Sequence, residues 1–342
     1  MTNPILAPTQ LQGMLARLRD TPAMHAKQAI QNPARALPMH AASRDDLYAL
    51  PGDDTAAIRC GDQYQLLAIE GMIPAFVEQA PWFAGWSAVM ANVSDITAMG
   101  GRASAVVNAY WHHDSQAADH VLAGIRDACK AYGLIMAGGH TSQAPGNPAA
   151  LAVAITGWAR NLLSTLHVEP GQVIAMAVDL DGHWHGNAPY WKAFENVPGT
   201  RLQEKLEVIP RLAEAGLLLA AKDISNAGIL GTLLMLLEPT RCGAQIDLDA
   251  LPLPAGAAME RWLQAFPSYG FLLTLDRKDL ATVEAAFAFE GVHCACIGEV
   301  DDSARLRVSQ GHEHHEFWNL ADQAFTGFSY PEHLHSVVSK EH

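Results

Sequence analysis

The apolar positions of this chain switch period repeatedly. Residues 55–60 (TAAIRC) and 65–71 (QLLAIEG) have the short, β-branched character of strands. The stretch PWFAGWSAVMANVSDITAMGG predicts a helix opened by Pro81 and closed by Gly100 and Gly101. A strand is expected at ASAVVNAYW, followed by an amphipathic helix over DSQAADHVLAGIRDACKAYG. Asp114 or Ser115 would cap this helix and Gly133 would stop it, leading into LIMAGG and the strand ALAVAITGWA. This half reads as βαβ-like with an extra strand pair. The pattern restarts at HVEPGQVIAMAVDL, after a turn at Pro170-Gly171. Helices are predicted at LQEKLEVIPRLAEAG, NAGILGTLLMLLE and RKDLATVEAAFAF, with strands at SYGFLLTLD and HCACIGEV. The expectation is a polar N-terminal arm (1–45), a mixed α/β domain (46–165), a second α/β domain (166–330) and a tail (331–342).

Composition narrows the function classes. A chain of 342 residues with 49% hydrophobic and 17% charged residues can bury two cores. Asp plus Glu number 36 against 22 Lys plus Arg, for a net charge of -14, and no basic block could track a phosphate backbone, so nucleic acid is not an expected partner. The first residues lack a basic-then-apolar leader, and no apolar run approaches the roughly 18 residues of a membrane span. A soluble cytoplasmic protein is expected. The five cysteines are scattered and odd in number, which argues against a disulfide framework. Cys294 and Cys296 would face one side of a buried strand.

Candidate chemistry lies in short acidic and glycine-containing segments. In PGDDTAAIRC, Asp53 and Asp54 follow a Pro-Gly turn before a strand begins. Gly-Asp-Asp is ordinary turn chemistry, but two ionised carboxylates held close also suit a hard divalent cation shared with phosphate oxygens. On the helix at 82–99, Phe83, Trp86, Val89, Met90, Val93 and Ile96 form an apolar stripe. Ala84, Ala88, Ala91, Asn92 and Asp95 form a face of small residues ending in an amide and an acid, suited to helix packing or to a ligand. In MAGGHTSQ, Gly138 and Gly139 could turn backbone N–H groups toward a phosphate, with His140 and Thr141 as further donors. In KDISNAGILGT, Asp223 precedes a helix N-terminus, as a simple cap or as a ligand. The aromatic run DLDGHWHGNAPYWKAFENV could line an acceptor pocket or pack on the surface, and GHEHHEF reads as a solvated face more than a metal tract. Lys27 and Lys222 are the cations best placed by context for phosphate.

Taken together, GDDTAAI, LLAIEG, NVSDITAMGG, AGGHTS and KDISNAGILG resemble, in order and spacing, the motifs of the aminoimidazole ribonucleotide (AIR) synthetase-related superfamily. That superfamily includes thiamine-monophosphate kinase, selenophosphate synthetase and a hydrogenase-maturation protein. The chain is most similar to the branch labelled only as synthetase-related. The resemblance implies a two-domain α/β (α+β) fold and a homodimer whose N-terminal mixed sheets join into a barrel, with nucleotide sites along the subunit interface. It implies ATP and Mg2+ as cofactors and phosphoryl transfer to, or activation of, a small-molecule acceptor. Asp53, Asp54, Glu70, Asp95 and Asp223 would be metal ligands. Asn92, Gly100, Gly101, Gly138, Gly139, Thr141 and Lys27 would bind the nucleotide, and Asp53, Asp95, His140 and Asp223 would carry catalysis. Glu70 stands where kinase members have Asp, His140 replaces the Asp of Gly-Gly-Asp-Thr, and Asn226 replaces the acid of Asp-x-Ser-Asp-Gly. These losses leave open a nucleotide-binding partner or regulator without turnover. Selenium chemistry is disfavoured, because the first cysteine, Cys60, follows the acidic motif.

Overall fold

The computed structural model describes residues 9–36, 49, 52–143 and 146–328. The stretch read as a polar arm is helical where described: α1 (Gln10–Arg19), α2 (Pro22–Gln28) and α3 (Gln31–Ala36). Thr9 caps α1 by accepting from Gln12 N. Leu11, Met14, Leu15 and Leu18 recur at helical spacing and bury one stripe of it.

The first half supplies β1 (Ala56–Cys60), β2 (Gln63–Met72), α4 (Pro74–Gln79), α5 (Pro81–Ala98), β3 (Gly101–His112), α6 (Ser115–Tyr132), β4 (Ile135–Gln143) and β5 (Ala150–Ala159). The sheet order is β1-β2-β5-β3-β4, with β3 and β4 parallel and the other neighbours antiparallel. As expected, Asp114 caps α6 and Gly133, at φ 70°, ends it. The two helices cover one sheet face. They cross closely because Gly85 and Gly124 lack side chains: a Cβ on Gly124 would lie 2.0 Å from the Trp82 carbonyl oxygen. The register puts Ile58, Leu67, Ile69, Val107, Trp111, Ile135 and Trp158 on the opposite face, where all seven are exposed.

The second half adds β6 (Val173–Val178), β7 (His183–Trp184), β8 (Trp191–Lys192), α7 (Gly199–Glu214), β9 (Ala220–Asp223), α8 (Gly228–Leu237), β10 (Gly243–Asp247), α9 (Met259–Trp262), β11 (Gly270–Leu275), α10 (Leu280–Phe289), β12 (His293–Asp301), β13 (Arg305–Gln310) and β14 (Glu313–Asn319). Seven of these strands form one sheet in the order β14-β13-β10-β12-β6-β11-β9. Its central strands are covered on both sides, which explains their unbroken apolar runs. Ile174, Met176 and Val178 of β6 face a core shared with α1 and α8. Val173, Ala175 and Ala177 face a second core with α7 and α10. Strands β9, β10, β13 and β14 extend the sheet beyond the predicted elements. Arg102, at the start of β3, bridges the halves by pairing with Glu207 and Glu214 of α7.

Candidate active site

The two halves meet around a cavity of about 380 Å³. Its acidic end is assembled from segments far apart in sequence. Asp54 comes from the turn before β1, Asp95 from the last turn of α5 and Asp223 from the end of β9, and one oxygen from each lies within 4.8 Å of the others. Glu70 of β2, Lys27 of α2 and Lys222 of β9 also line the cavity. The turn is held from two sides. Lys222 Nζ pairs with Asp54 and donates to Gly52 O at 3.1 Å, and Asp223 N donates to the other oxygen of Asp54 at 3.2 Å. Gly52, at φ 107°, allows Phe328 to pack against it, since a Cβ would fall 2.5 Å from the ring.

Asp95 and Asp223 are buried and accept no hydrogen bond from the described residues. Burial first, then the charges of Asp223, Glu70 and Asp54, hold the Asp95 carboxyl well above the usual carboxylate range. Burial and then Asp54 push Asp223 up to about 8, and burial raises Glu70. Burial opposes the charge of Lys222, but Asp54, Asp53 and Asp223 outweigh it and raise its pKa. Buried carboxylates that repel one another and lack donors fit a hard divalent cation, whose oxygen ligands they would become. Among the described residues this is the one such convergence of His, Cys, Asp or Glu side chains.

Several expected site residues lie elsewhere or do another job. Asp53 lines the cavity, but its carboxylate accepts from Ser164 Oγ at 2.6 Å and from Thr165 N and Oγ1 at 3.0 and 2.6 Å, so it braces the turn instead of joining the cluster. Asn92 is fully buried and donates to Ala88 O and Val153 O at 2.7 and 2.8 Å, turning toward the sheet. The small face of α5 therefore divides: Ala84, Ala88 and Asn92 are buried in the N-terminal half, while Ala91 and Asp95 line the cavity. Gly100 and Gly101 are packing glycines, where a Cβ would meet Asn161 O at 2.6 Å and Leu66 Cδ1 at 2.4 Å. Gly138, Gly139, His140 and Thr141 lie on the exposed edge strand β4 and do not line this chain's cavity. His140 sits opposite Ala109 on the open sheet face, with Nε2 3.1 Å from Ser142 Oγ.

The aromatic run splits between the two readings given above. Trp184 and Trp191 pack edge-on against Trp262, whereas Tyr190 lines the cavity. The His-Glu tract is structural: Glu313 accepts from Leu11 N at 3.1 Å and His315 meets Thr9 Oγ1 at 2.9 Å, fastening α1 to β14. Sequence reasoning missed Phe76, Ser87, Phe266 and Phe328 as cavity residues. The usable signal for Ser87 was its position in the series Phe83, Ser87, Ala91, Asp95, spaced by four on one helix.

Among the described residues no helix is long and apolar enough to cross a membrane. A thiamine-monophosphate kinase of Rhodopirellula baltica is 28% identical over 221 residues, covering 60% of this chain and 66% of the kinase. The uncharacterised protein sll0787 of Synechocystis sp. is 43% identical over 279 residues, covering 81% of this chain and 86% of the relative. A solved structure of Thermotoga maritima PurL complexed with ADP superposes with a TM-score of 0.75 at 18% identity, covering 95% of this chain and 52% of PurL. This chain thus spans about half of that protein. A structure of AaThiL complexed with AMPPCP and TMP gives a TM-score of 0.62 at 17% identity, covering 85% and 96%. Residues 52–159 match the model of the AIR synthase related protein N-terminal domain and residues 172–310 match that of its C-terminal domain, so the chain belongs to the AIR synthase-related family.

Proposed function

We propose that this protein uses ATP with Mg2+ to phosphorylate or activate a small-molecule acceptor. The observation that carries the reading is the convergence of Asp54, Asp95 and Asp223 from three segments, with oxygens within 4.8 Å of one another and two donor-free carboxylates among them. Mg2+, when bound, would neutralise charge on the polyphosphate oxygens, the main requirement of phosphoryl transfer. Asp54, Asp95 and Asp223 would hold it, with Glu70 adding negative charge nearby. Lys27 and Lys222 would face the phosphoryl oxygens, and the apolar walls would exclude competing water. Kinases among the relatives support this class of reaction.

The second part of the proposal is a homodimer formed through the open face of the five-stranded sheet. Seven large apolar side chains on one face exceed what a soluble monomer ordinarily exposes. Ile69, Gly71 and Ile73 belong to both that sheet region and the cavity wall, so a partner on this face would border the cavity mouth. His140 and Thr141 could then serve a nucleotide only across the interface.

The test is acceptor-dependent ADP release over a metabolite panel, with Asp95→Ala as control. The reading predicts turnover with one acceptor class, loss in the variant and retention of the dimer. Calorimetry adds a second readout: ATP affinity should collapse on chelation. Indifference to chelation sinks the metal role. Tight, metal-dependent nucleotide binding with no turnover would instead identify a binding protein, the reading favoured by Asn226 lining the cavity where the kinase pattern has an acid.

A further inference from the structure

The cavity has a second end of different chemistry. Phe83, Ser87, Ala91 and Asp95 all line it, at intervals of four residues along one face of α5. At about 1.5 Å per residue the series runs about 18 Å, from an aromatic ring through a hydroxyl and a small floor residue to a carboxylate. Phe76 and Tyr190 pack against Phe83 and Phe266 packs against Tyr190, and all of them line the cavity. Phe76 meets Phe83 edge-on with centroids 5.3 Å apart and lies 5.5 Å from Tyr190. Tyr190 meets Phe266 edge-on at 5.0 Å. Ser87 is 4% exposed, and its hydroxyl has no hydrogen-bond partner among the described residues. A buried polar atom left unpaired costs free energy that a ligand's polar edge would recover.

We propose that this aromatic end binds a planar heteroaromatic ring, packed among Phe76, Tyr190 and Phe266 beside Phe83 and hydrogen-bonded at one edge by Ser87. Phe76, Tyr190 and Phe266, from separate segments and half-buried, offer flat apolar area beside the buried Phe83, and stacking on such rings accepts many heterocycles. One face of Phe83 is already taken by the Lys192 ammonium, 4.9 Å from the ring centroid and paired with Glu195, so a ligand's ring meets the neighbouring aromatic side chains. The inference rests on the phosphoryl-transfer reading only for the chemistry at the other end. There, the ring belongs either to the acceptor or to the nucleotide base.

Calorimetry on the full chain separates these possibilities. The probes are Mg2+ with tripolyphosphate for the acidic end, and adenosine, 3-pyridinemethanol, naphthalene methanol and tetramethylammonium for the aromatic end. Adenosine binding supports the site with the nucleotide base as its source. Binding of 3-pyridinemethanol without adenosine supports it with the acceptor as source. Phe76→Leu should weaken the bound heterocycle about tenfold and leave tripolyphosphate unchanged. Ser87→Ala should weaken the heterocycle but not naphthalene methanol, a selectivity that mere disturbance of packing would not produce. Failure of both heterocycles in the wild-type protein, or preference for tetramethylammonium, overturns the proposal. Failure of tripolyphosphate alone strikes the phosphoryl-transfer reading and leaves the ring site standing.

Discussion

Replacing Asp95 by Asn should make the metal-free protein more stable while removing its response to metal. Asp95 is buried, lacks a donor and lies within 4.8 Å of carboxylate oxygens of Asp54 and Asp223. Asp54 is neutralised by Lys222, so the repulsion to count is that with Asp223. Once both are ionised, two unit charges at 4.8 Å, the outer limit of that separation, repel by roughly 3 kcal/mol at an effective dielectric near 20. The amide is the same shape but keeps a buried polar group that must be desolvated, so about 1 kcal/mol is set against the gain. A net stabilisation of about 2 kcal/mol corresponds to a rise of about 3 °C in Tm for a chain of this size. The pH dependence has a defined sign. Asp95 and Asp223 have folded-state pKa values raised above those of the unfolded chain, Asp223 to about 8. As pH rises above about 4 the unfolded chain loses protons that the folded wild type retains, so wild-type stability falls until the folded groups ionise as well. The advantage of Asp95→Asn should therefore widen from pH 6 to pH 9. Thermal melts in EDTA and in excess Mg2+ at both pH values test this. A variant that melts lower than wild type in EDTA at pH 9, yet still gains stability from Mg2+, would refute the electrostatic account of the cluster.

Lys222→Met leaves Asp54 buried without its cation and should cost roughly 3–5 kcal/mol in EDTA, partly restored by Mg2+; denaturant unfolding with and without metal measures both. Gly124→Ala forces a methyl to within 2.0 Å of the Trp82 carbonyl and should cost roughly 2–3 kcal/mol by prying α6 from α5, read by chemical denaturation. Glu238 is buried and accepts from the backbone N–H groups of Phe325, Thr326 and Gly327 and from the Thr326 hydroxyl, so Glu238→Ala should loosen the segment that carries Phe328 to the cavity. Hydrogen exchange over 325–328 should accelerate by more than tenfold, while exchange in β3 and β5 stays unchanged. Trp158→Glu charges the middle of the open sheet face, and on the proposed dimer light scattering should report dimers for the wild type and monomers for the variant.

The parts of the site that were legible in sequence are those fixed by local chemistry. A Gly-Asp-Asp turn, an acid three residues before a helix end and an acid at a strand-to-helix junction each specify a backbone position, and the fold carries all three to one cavity. Side-chain direction within α5 was less legible. Ala91 and Asn92 are neighbours in sequence but about 100° apart around the helix, and with nearly every residue of α5 buried, hydrophobicity does not mark which face meets the cavity. Asn92 accordingly faces Val153 and Ala91 faces the cavity. The glycine motifs misled for a related reason: Gly100 and Gly101 are required by contacts with Asn161 and Leu66, which only the tertiary structure brings near. Helix α1 carried a signal in Leu11, Met14, Leu15 and Leu18, masked by the polar composition around it. Strand β9 has only four residues, AAKD, too few to establish a period, yet it holds both Lys222 and Asp223.

The charges lining the cavity also constrain the order in which ligands can bind. Asp53, Asp54, Glu70, Asp95 and Asp223 face Lys27 and Lys222, leaving a net three negative charges when all are ionised. A nucleotide polyphosphate arriving without a cation would enter a field of its own sign, in a cavity where burial weakens screening. Lys222 cannot relieve this freely, because releasing Asp54 to reach a phosphate would strand a buried carboxylate. On the proposed function, metal and nucleotide binding would therefore be coupled in this geometry, each lowering the cost of the other, and linkage makes such coupling reciprocal. Tripolyphosphate should raise Mg2+ affinity by the same factor as Mg2+ raises that of tripolyphosphate. Asp95→Asn, which removes one negative charge without touching either lysine, should shrink both factors together. Equal affinities for tripolyphosphate with and without metal would mean that the cluster serves the fold and not the phosphate.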